Sequence, residues 1–292
     1  MNRILDHLWL NYQTKVRFVL VGLWNTMSSD TNAPLHFMTA ISCQYKRSMS
    51  NICRHTLLDC VISLPQSMII KETEMVEELR AKITGEEFDY PALLDGLREY
   101  DRPRDKITSL LRQGAVVRVK KGIYVFGERY KRRPFSREVL ANMICGPSYV
   151  SLDYALHYYG LIPERVEAVT SVTVSRGRRF STPVGLFIYR AVPMRAYPIG
   201  IDRVELDGGR SFLIATPEKA LADKIQADRG TAIRTQAEMR TYLLDSLRID
   251  PEGLGRLNAE TISLIADHYR SRKLRLLSGL VRRLGGKGEG HE

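Results

Sequence analysis

The sequence predicts an α+β chain: a three-helix head closed by a β-hairpin, then a mixed α/β domain with a helical C-terminal part. Three observations predict it. Apolar residues recur at helical spacing between Met75 and Leu111, and two β-prone runs flank Lys120-Lys121-Gly122. Further β-prone runs between residues 169 and 215 give way to helical patterning after Thr216. The 292 residues suit two domains at roughly 100–200 residues each. With 44% hydrophobic and 26% charged residues, wholesale disorder is excluded. No window approaches the roughly 20 apolar residues of a membrane helix, so the expected location is the cytoplasm, away from membranes. Four cysteines without a Cys-x-x-Cys pair exclude a disulfide scaffold and a zinc ribbon.

Residues 1–67 are poorly patterned and hold Cys43, Cys53, Cys60 and both tryptophans. The Phe18–Trp24 patch is short, follows polar residues and lacks a small-residue cleavage site, so it does not read as a signal peptide. Cys53, His55 and Cys60 match no familiar metal-ligand spacing. This stretch is expected to be an extension upstream of a functional start near Met68 or Met75.

From Met68 the patterning tightens. Met75, Leu79 and Ile83 at i, i+4, i+8 give an amphipathic helix that Gly85 ends. Asp89-Tyr90-Pro91 opens a second, short helix with Leu93, Leu94 and Leu97 inward. In a third helix, about 104–113, Ile107, Leu110 and Leu111 fall on one arc. The opposite arc carries Asp105, Ser109 and Arg112, flanked by Arg104, Lys106, Thr108 and Gln113, side chains suited to phosphates and base edges. Gly114 stops this helix. Ala115–Val119 and Ile123–Phe126 then form a hairpin with Lys120 and Lys121 at its tip. Three helices and a cation-tipped hairpin over residues 68–130 make a winged helix-turn-helix, the layout that puts one helix in the major groove.

The charge distribution agrees. Of the net +11, residues 101–135 alone carry eleven basic and three acidic side chains, whereas 68–100 carry four basic and nine acidic. A focused cationic segment attracts polyanions, nucleic-acid phosphates first among them. A winged fold used only for protein contacts would not concentrate cations on its third helix and wing. The expected DNA contacts are Arg104, Lys106, Thr108, Ser109, Arg112 and Gln113 on the helix, and Arg118, Lys120 and Lys121 on the wing. Lys131, Arg132 and Arg133 extend them past the wing.

Residues 136–285 read as the second domain. Ser151 is placed to cap a helix through Leu152, Ala155, Leu156 and Tyr159, with Gly160 at its end. Val169–Val174 and Gly185–Val192 are strands on either side of a basic turn, Arg176–Phe180, and Ser211–Ala215 is a third. Thr216-Pro217-Glu218 opens a helix with a cap, a proline at its first position and an acid in its first turn. Helices follow near Thr235–Leu247, Ala259–Tyr269 and Ser271–Leu284, and 286–292 is a tail. Arg176, Arg178 and Arg179 are the domain's candidate contact residues. The last helix is basic and amphipathic, and its Leu face is expected to pack on its own domain rather than on a membrane.

Four strings carry a resemblance to a known family: Tyr149-Val150-Ser151-Leu152 through Tyr159-Gly160-Leu161-Ile162-Pro163-Glu164, then Val169–Thr173, Arg179-Phe180, and Ile214-Ala215-Thr216-Pro217-Glu218-Lys219-Ala220-Leu221-Ala222-Asp223. Over roughly residues 75–285 the chain resembles the AbiEi family, the antitoxin and regulator half of abortive-infection (type IV) toxin–antitoxin systems. The resemblance implies a winged helix-turn-helix head, a C-terminal antitoxin domain, repression of the protein's own operon through double-stranded operator DNA, and a nucleotidyltransferase-like toxin as partner. It implies nothing for residues 1–67.

No catalytic residue, cofactor or metal is expected. A nuclease would need clustered carboxylates, and Asp202, Glu205, Asp207, Glu218, Lys219 and Asp223 are the candidates within reach. Glu218-Lys219 lacks the one-residue gap of a strand-borne Glu-x-Lys pair and sits where an acid complements the helix dipole. His157 reads as surface or packing, Cys145 as a buried small residue, and Gly285-Gly286-Lys287 is no phosphate loop. A second reading drops the toxin and leaves a stand-alone winged-helix transcription factor whose second domain senses a ligand.

Overall fold

The computed structural model describes residues 66–285. Apart from Gln66 and Ser67, the extension 1–67 lies outside the described residues, as does the tail 286–292. The described chain is mixed α+β, with ten α-helices and two sheets.

The head begins with α1 (Gln66–Lys82), β1 (Glu87–Asp89), α2 (Tyr90–Gly96) and α3 (Pro103–Arg112). The helical periodicity has its expected consequence: Met75, Val76, Leu79 and Ile83 are buried against Leu93, Leu97, Ile107 and Leu110. Each such leucine, taken fully out of water, contributes about 1.5–3 kcal/mol. Asp89 caps α2 by accepting from the Ala92 amide at 2.9 Å, next to Pro91 in the first turn. Gly114, with φ +72, supplies the left-handed turn that ends α3 and feeds β2 (Val116–Lys120). β2 returns as β3 (Ile123–Phe126) in the antiparallel register Val116↔Phe126 and Arg118↔Tyr124, and β1 pairs with the other edge of β3. That first strand went unrecognised in the sequence because three residues show no period.

The hairpin has two packed faces. Val116, Tyr124 and Phe126 close the head's core, while Val119, Ile123 and Val125 belong to the core of the second part. The hairpin is therefore a wall shared by both cores rather than a free flap. Polar contacts reinforce the junction: Arg210 reaches the buried Glu87 carboxylate at 3.0 Å, and Arg133 donates to the Asp207 carbonyl at 2.9 Å.

The second part opens with α4 (Arg137–Ile144), capped by Ser136, and β4 (Ser148–Val150). Then come α5 (Leu152–Tyr158), β5 (Val169–Thr173), β6 (Arg178–Thr182) and β7 (Gly185–Ala191), followed by β8 (Ile201–Leu206) and β9 (Arg210–Ala215). The strands form one six-stranded sheet in the order β6-β7-β5-β4-β9-β8, with β5 parallel to β7 and β4 parallel to β9. Helices α6 (Pro217–Ala227), α7 (Gln236–Thr241, continuing as a π-turn through Ser246), α8 (Pro251–Gly255), α9 (Ala259–Tyr269) and α10 (Arg272–Gly285) complete it. Thr216 and the Thr235/Glu238 capping box start α6 and α7 as their residue types dictate. The apolar stripe of α10, with Leu274, Leu277, Leu280 and Val281 buried, packs within the domain. No described helix is long and apolar enough to cross a membrane.

One expectation needs correction. Arg176–Phe180 is not a turn joining two strands; Arg178–Thr182 is a strand in its own right, the outer edge of the sheet, paired antiparallel with β7. The turn falls at Pro183-Val184, and β7 then lies parallel to β5.

Candidate functional site

The outer face of α3 is built by what its inner face buries. With Ile107 and Leu110 inward, Arg104, Thr108 and Arg112 form an exposed ridge at four-residue spacing. Thr108 donates to the Arg104 carbonyl at 3.0 Å, and Lys106 lies 5.3 Å from the Tyr100 ring centre, its side chain steered but exposed. Ser109 is half-buried and accepts from the Gln113 amide at 3.1 Å. Arg104, Lys106 and Arg112 make no ion pair among the described residues. Arg104, Lys106 and Arg112 outnumber Asp105, the acid in the first turn of this helix, so its exposed face is net cationic and suited to a polyanion.

On the hairpin, Arg118 and Lys121 are exposed and likewise without an ion pair among the described residues. Lys120 departs from the sequence expectation. Its ammonium donates to the Ile144 carbonyl at 2.7 Å and sits 4.3 Å from the centre of the Phe180 ring, so it ties the hairpin to the second part. A β-bulge between Arg118 and Lys120 shifts the register at the point where this side chain turns inward. Past the wing, Lys131 pairs with Glu128 at 2.5 Å and Arg133 is engaged with the Asp207 and Thr84 carbonyls. Arg132 is exposed, its backbone amide donating to Glu86. Of the expected contacts, the cations left available to a ligand are thus Arg104, Lys106 and Arg112 on α3, with Arg118, Lys121 and Arg132.

A second constellation lies where the Thr216-Pro217-Glu218-Lys219 block meets Tyr149-Val150-Ser151. Lys219 and Asp223, one turn apart on α6, form an ion pair of 3.1 Å with both side chains fully buried. One Asp223 oxygen accepts from Lys219 and the Tyr269 hydroxyl; the other accepts from Tyr149 (2.9 Å) and Ser151 (2.8 Å). Lys219 also donates to the Ala196 carbonyl at 2.7 Å. Burial holds the Lys219 ammonium below the ordinary lysine range, with Asp223 pulling the other way. Burial, then the Asp223 charge, pushes the Tyr149 and Tyr269 phenols far above theirs. Ser151 sits at the start of α5, as its sequence position implies, but its hydroxyl serves Asp223 instead of capping the helix. Leu152 beside it adopts φ +61, a left-handed conformation that costs a β-carbon-bearing residue about 1–2 kcal/mol.

The acids considered for metal chemistry are dispersed. Asp223 is committed to its four donors, and Glu218 accepts from the Asn258 amide at 3.0 Å. Asp202 and Glu205 extend along β8, and Asp207 follows it. His157 is exposed, and Cys145 is half-buried rather than buried.

Arg176, Arg178 and Arg179 are all exposed, the last two on β6. Strand alternation separates that pair. Arg178 lies opposite Tyr189, whose hydroxyl reaches the Ala141 carbonyl of α4, whereas Arg179 lies opposite Ile188 on the other face. Both border a cleft of about 1010 Å³ between this edge of the sheet and helices α6, α9 and α10. Sequence reasoning missed three further cations there, Arg190, Arg229 and Lys273. Arg190 was legible in principle, being two residues from Ile188 on a recognised strand and so on the same face. No family model matches the chain, and no curated protein matches its sequence.

Proposed function

We propose that this protein is a DNA-binding regulator of the AbiEi type, with a winged helix-turn-helix head over residues 68–130 and a non-catalytic antitoxin domain over 136–285. In this reading α3 enters the major groove of operator DNA, Arg112 and Lys106 reach bases or phosphates, and Arg118 and Lys121 hold the backbone beside it. The protein represses its own operon in the cytoplasm and counters a nucleotidyltransferase-like toxin. The observation that carries the DNA reading is the α3 ridge of Arg104, Thr108 and Arg112. It is exposed and cationic, and its arginines have no carboxylate partner among the described residues.

The antitoxin assignment rests on the resemblance, and one feature supports treating its strings as a unit. Tyr149 and Ser151 from the first string and Lys219 and Asp223 from the last meet in a single buried network. Residues spaced about 70 apart are thereby held as parts of one packed core. Fluorescence anisotropy of the full chain on a duplex taken from upstream of its own reading frame tests the regulator. Specific binding near 10⁻⁸ M or tighter at physiological salt is expected, with Arg112→Ala losing about tenfold and relaxing sequence preference. Equal affinity for an unrelated duplex would overturn operator recognition. Co-expression with a neighbouring nucleotidyltransferase-like gene tests the antitoxin, and continued growth arrest would overturn it.

A further inference from the structure

We propose that the cleft beside β6 binds a small organic polyphosphate, a ligand that joins two or more phosphate groups to an apolar carrier such as a nucleoside. Its wall carries an unusual surplus of positive charge. Alternation along the paired strands puts Arg179, Ile188 and Arg190 on the same face as Val172, and all four line the cleft. Arg229, just after α6, and Lys273 on α10 approach from the opposite wall, with Arg178 at the border. The four arginines form no ion pair among the described residues. Among the described residues, Lys273 makes two long contacts of 3.4 Å, to the Asp228 carbonyl and the Thr231 hydroxyl.

Asp223 is the one acid among the described lining residues, and it does not balance this charge. Its two oxygens already accept from Lys219, Tyr269, Tyr149 and Ser151. Clustered guanidinium groups around a concavity focus field lines and favour an anion of several charges, and guanidinium is the donor best matched to phosphate. The volume lies at the upper end of the roughly 300–1,000 Å³ of small-molecule sites, more than a bare phosphate requires. The remaining space is bordered by Val172, Ile188, Val192 and Pro193, an apolar surface on which the carrier can lie. Such a site gives concrete form to the second reading of the sequence, a domain that senses a ligand. It does not depend on whether the head binds DNA.

Isothermal titration of the full chain with ATP at physiological salt tests the proposal, with tripolyphosphate and adenosine as separate arms. ATP should bind, tripolyphosphate should compete with it, and adenosine alone should bind far more weakly. Arg179→Ala/Arg190→Ala removes two exposed guanidinium groups and should weaken ATP about a hundredfold, at about tenfold for each charge-assisted contact. Arg229→Ala, on a different element, should lose about tenfold and guards against a local folding defect on the sheet edge. Arg112→Ala on the head should leave ATP affinity unchanged. No ATP binding by the wild type, adenosine binding as tight as ATP, failure of tripolyphosphate to compete, or unchanged affinity in the cleft variants would each overturn the assignment. A loss confined to Arg112→Ala would overturn it as well, by placing the nucleotide on the head.

Discussion

Replacing Asp223 by Asn removes the charge that Lys219 faces while keeping the side chain's size. Both groups are fully buried at 3.1 Å, so the lysine must then lose its proton or remain as an uncompensated ion. Breaking such a pair from one side costs about 3–5 kcal/mol. The new amide also turns two donors toward a site where Tyr149, Ser151 and Tyr269 already donate, so the loss should fall at the upper end. Lys219→Met leaves the carboxylate with those three hydroxyl donors and should cost less, about 2–3 kcal/mol. In the double variant neither charge remains to be stranded, and the singles should overshoot the double by at least about 2 kcal/mol. Urea unfolding at neutral pH, extrapolated linearly for all four proteins, measures this coupling. Single losses that add to the double within about 0.5 kcal/mol would refute the claim that Lys219 and Asp223 form one unit.

Three further outcomes are expected. Lys121→Ala should leave thermal stability unchanged and lower the salt slope of DNA binding by about 1, whereas Lys120→Ala should leave the slope unchanged and cost about 1–2 kcal/mol by releasing Ile144 and Phe180; calorimetry and salt titration separate the two, and the reverse pattern would return Lys120 to the DNA surface. A β-carbon on Gly127 would meet the Gly114 carbonyl oxygen at 1.8 Å, backbone against backbone, so Gly127→Ala should destabilise the head by about 3 kcal/mol or more; an unchanged melting temperature would refute that close approach. Tyr149, Tyr189 and Tyr269 have phenols raised by burial, so the folded chain keeps protons that the unfolded chain releases above about pH 10. Each phenol then contributes a stability loss of about 1.4 kcal/mol per pH unit, against one opposite slope from Lys219, whose folded value is lowered. Urea midpoints that rise between pH 10 and pH 11 would contradict this sign.

Much of the helical content was legible because its signals are local. Thr216-Pro217-Glu218 states where α6 starts, and α9 spans Ala259–Tyr269 as its periodicity predicts. The short strands were not legible. β1 and β4 have three residues each, and β8 has only half-buried and exposed positions, with no strict alternation. β6 begins Arg-Arg, which reads as a turn until β7 supplies the hydrogen bonds that make it an edge strand. The same limit applies to the sites. Helical spacing alone identified the exposed face of α3, since the inward residues define the outward ones. It could not identify Lys120, because a hairpin tip has no periodicity to say which lysine a neighbouring domain will claim. The four-residue spacing of Lys219 and Asp223 is visible in sequence, but their partners Tyr149, Ser151 and Tyr269 come together only through the sheet and α9.

The central claim is that the head holds a duplex through exposed cations, and the salt dependence of wild-type affinity tests it most directly. Arg104, Lys106, Arg112, Arg118 and Lys121 can neutralise up to five phosphates, which predicts a slope of about −4 to −5 for log K against log salt. A slope indistinguishable from zero, or no binding to any duplex at low ionic strength, would contradict it.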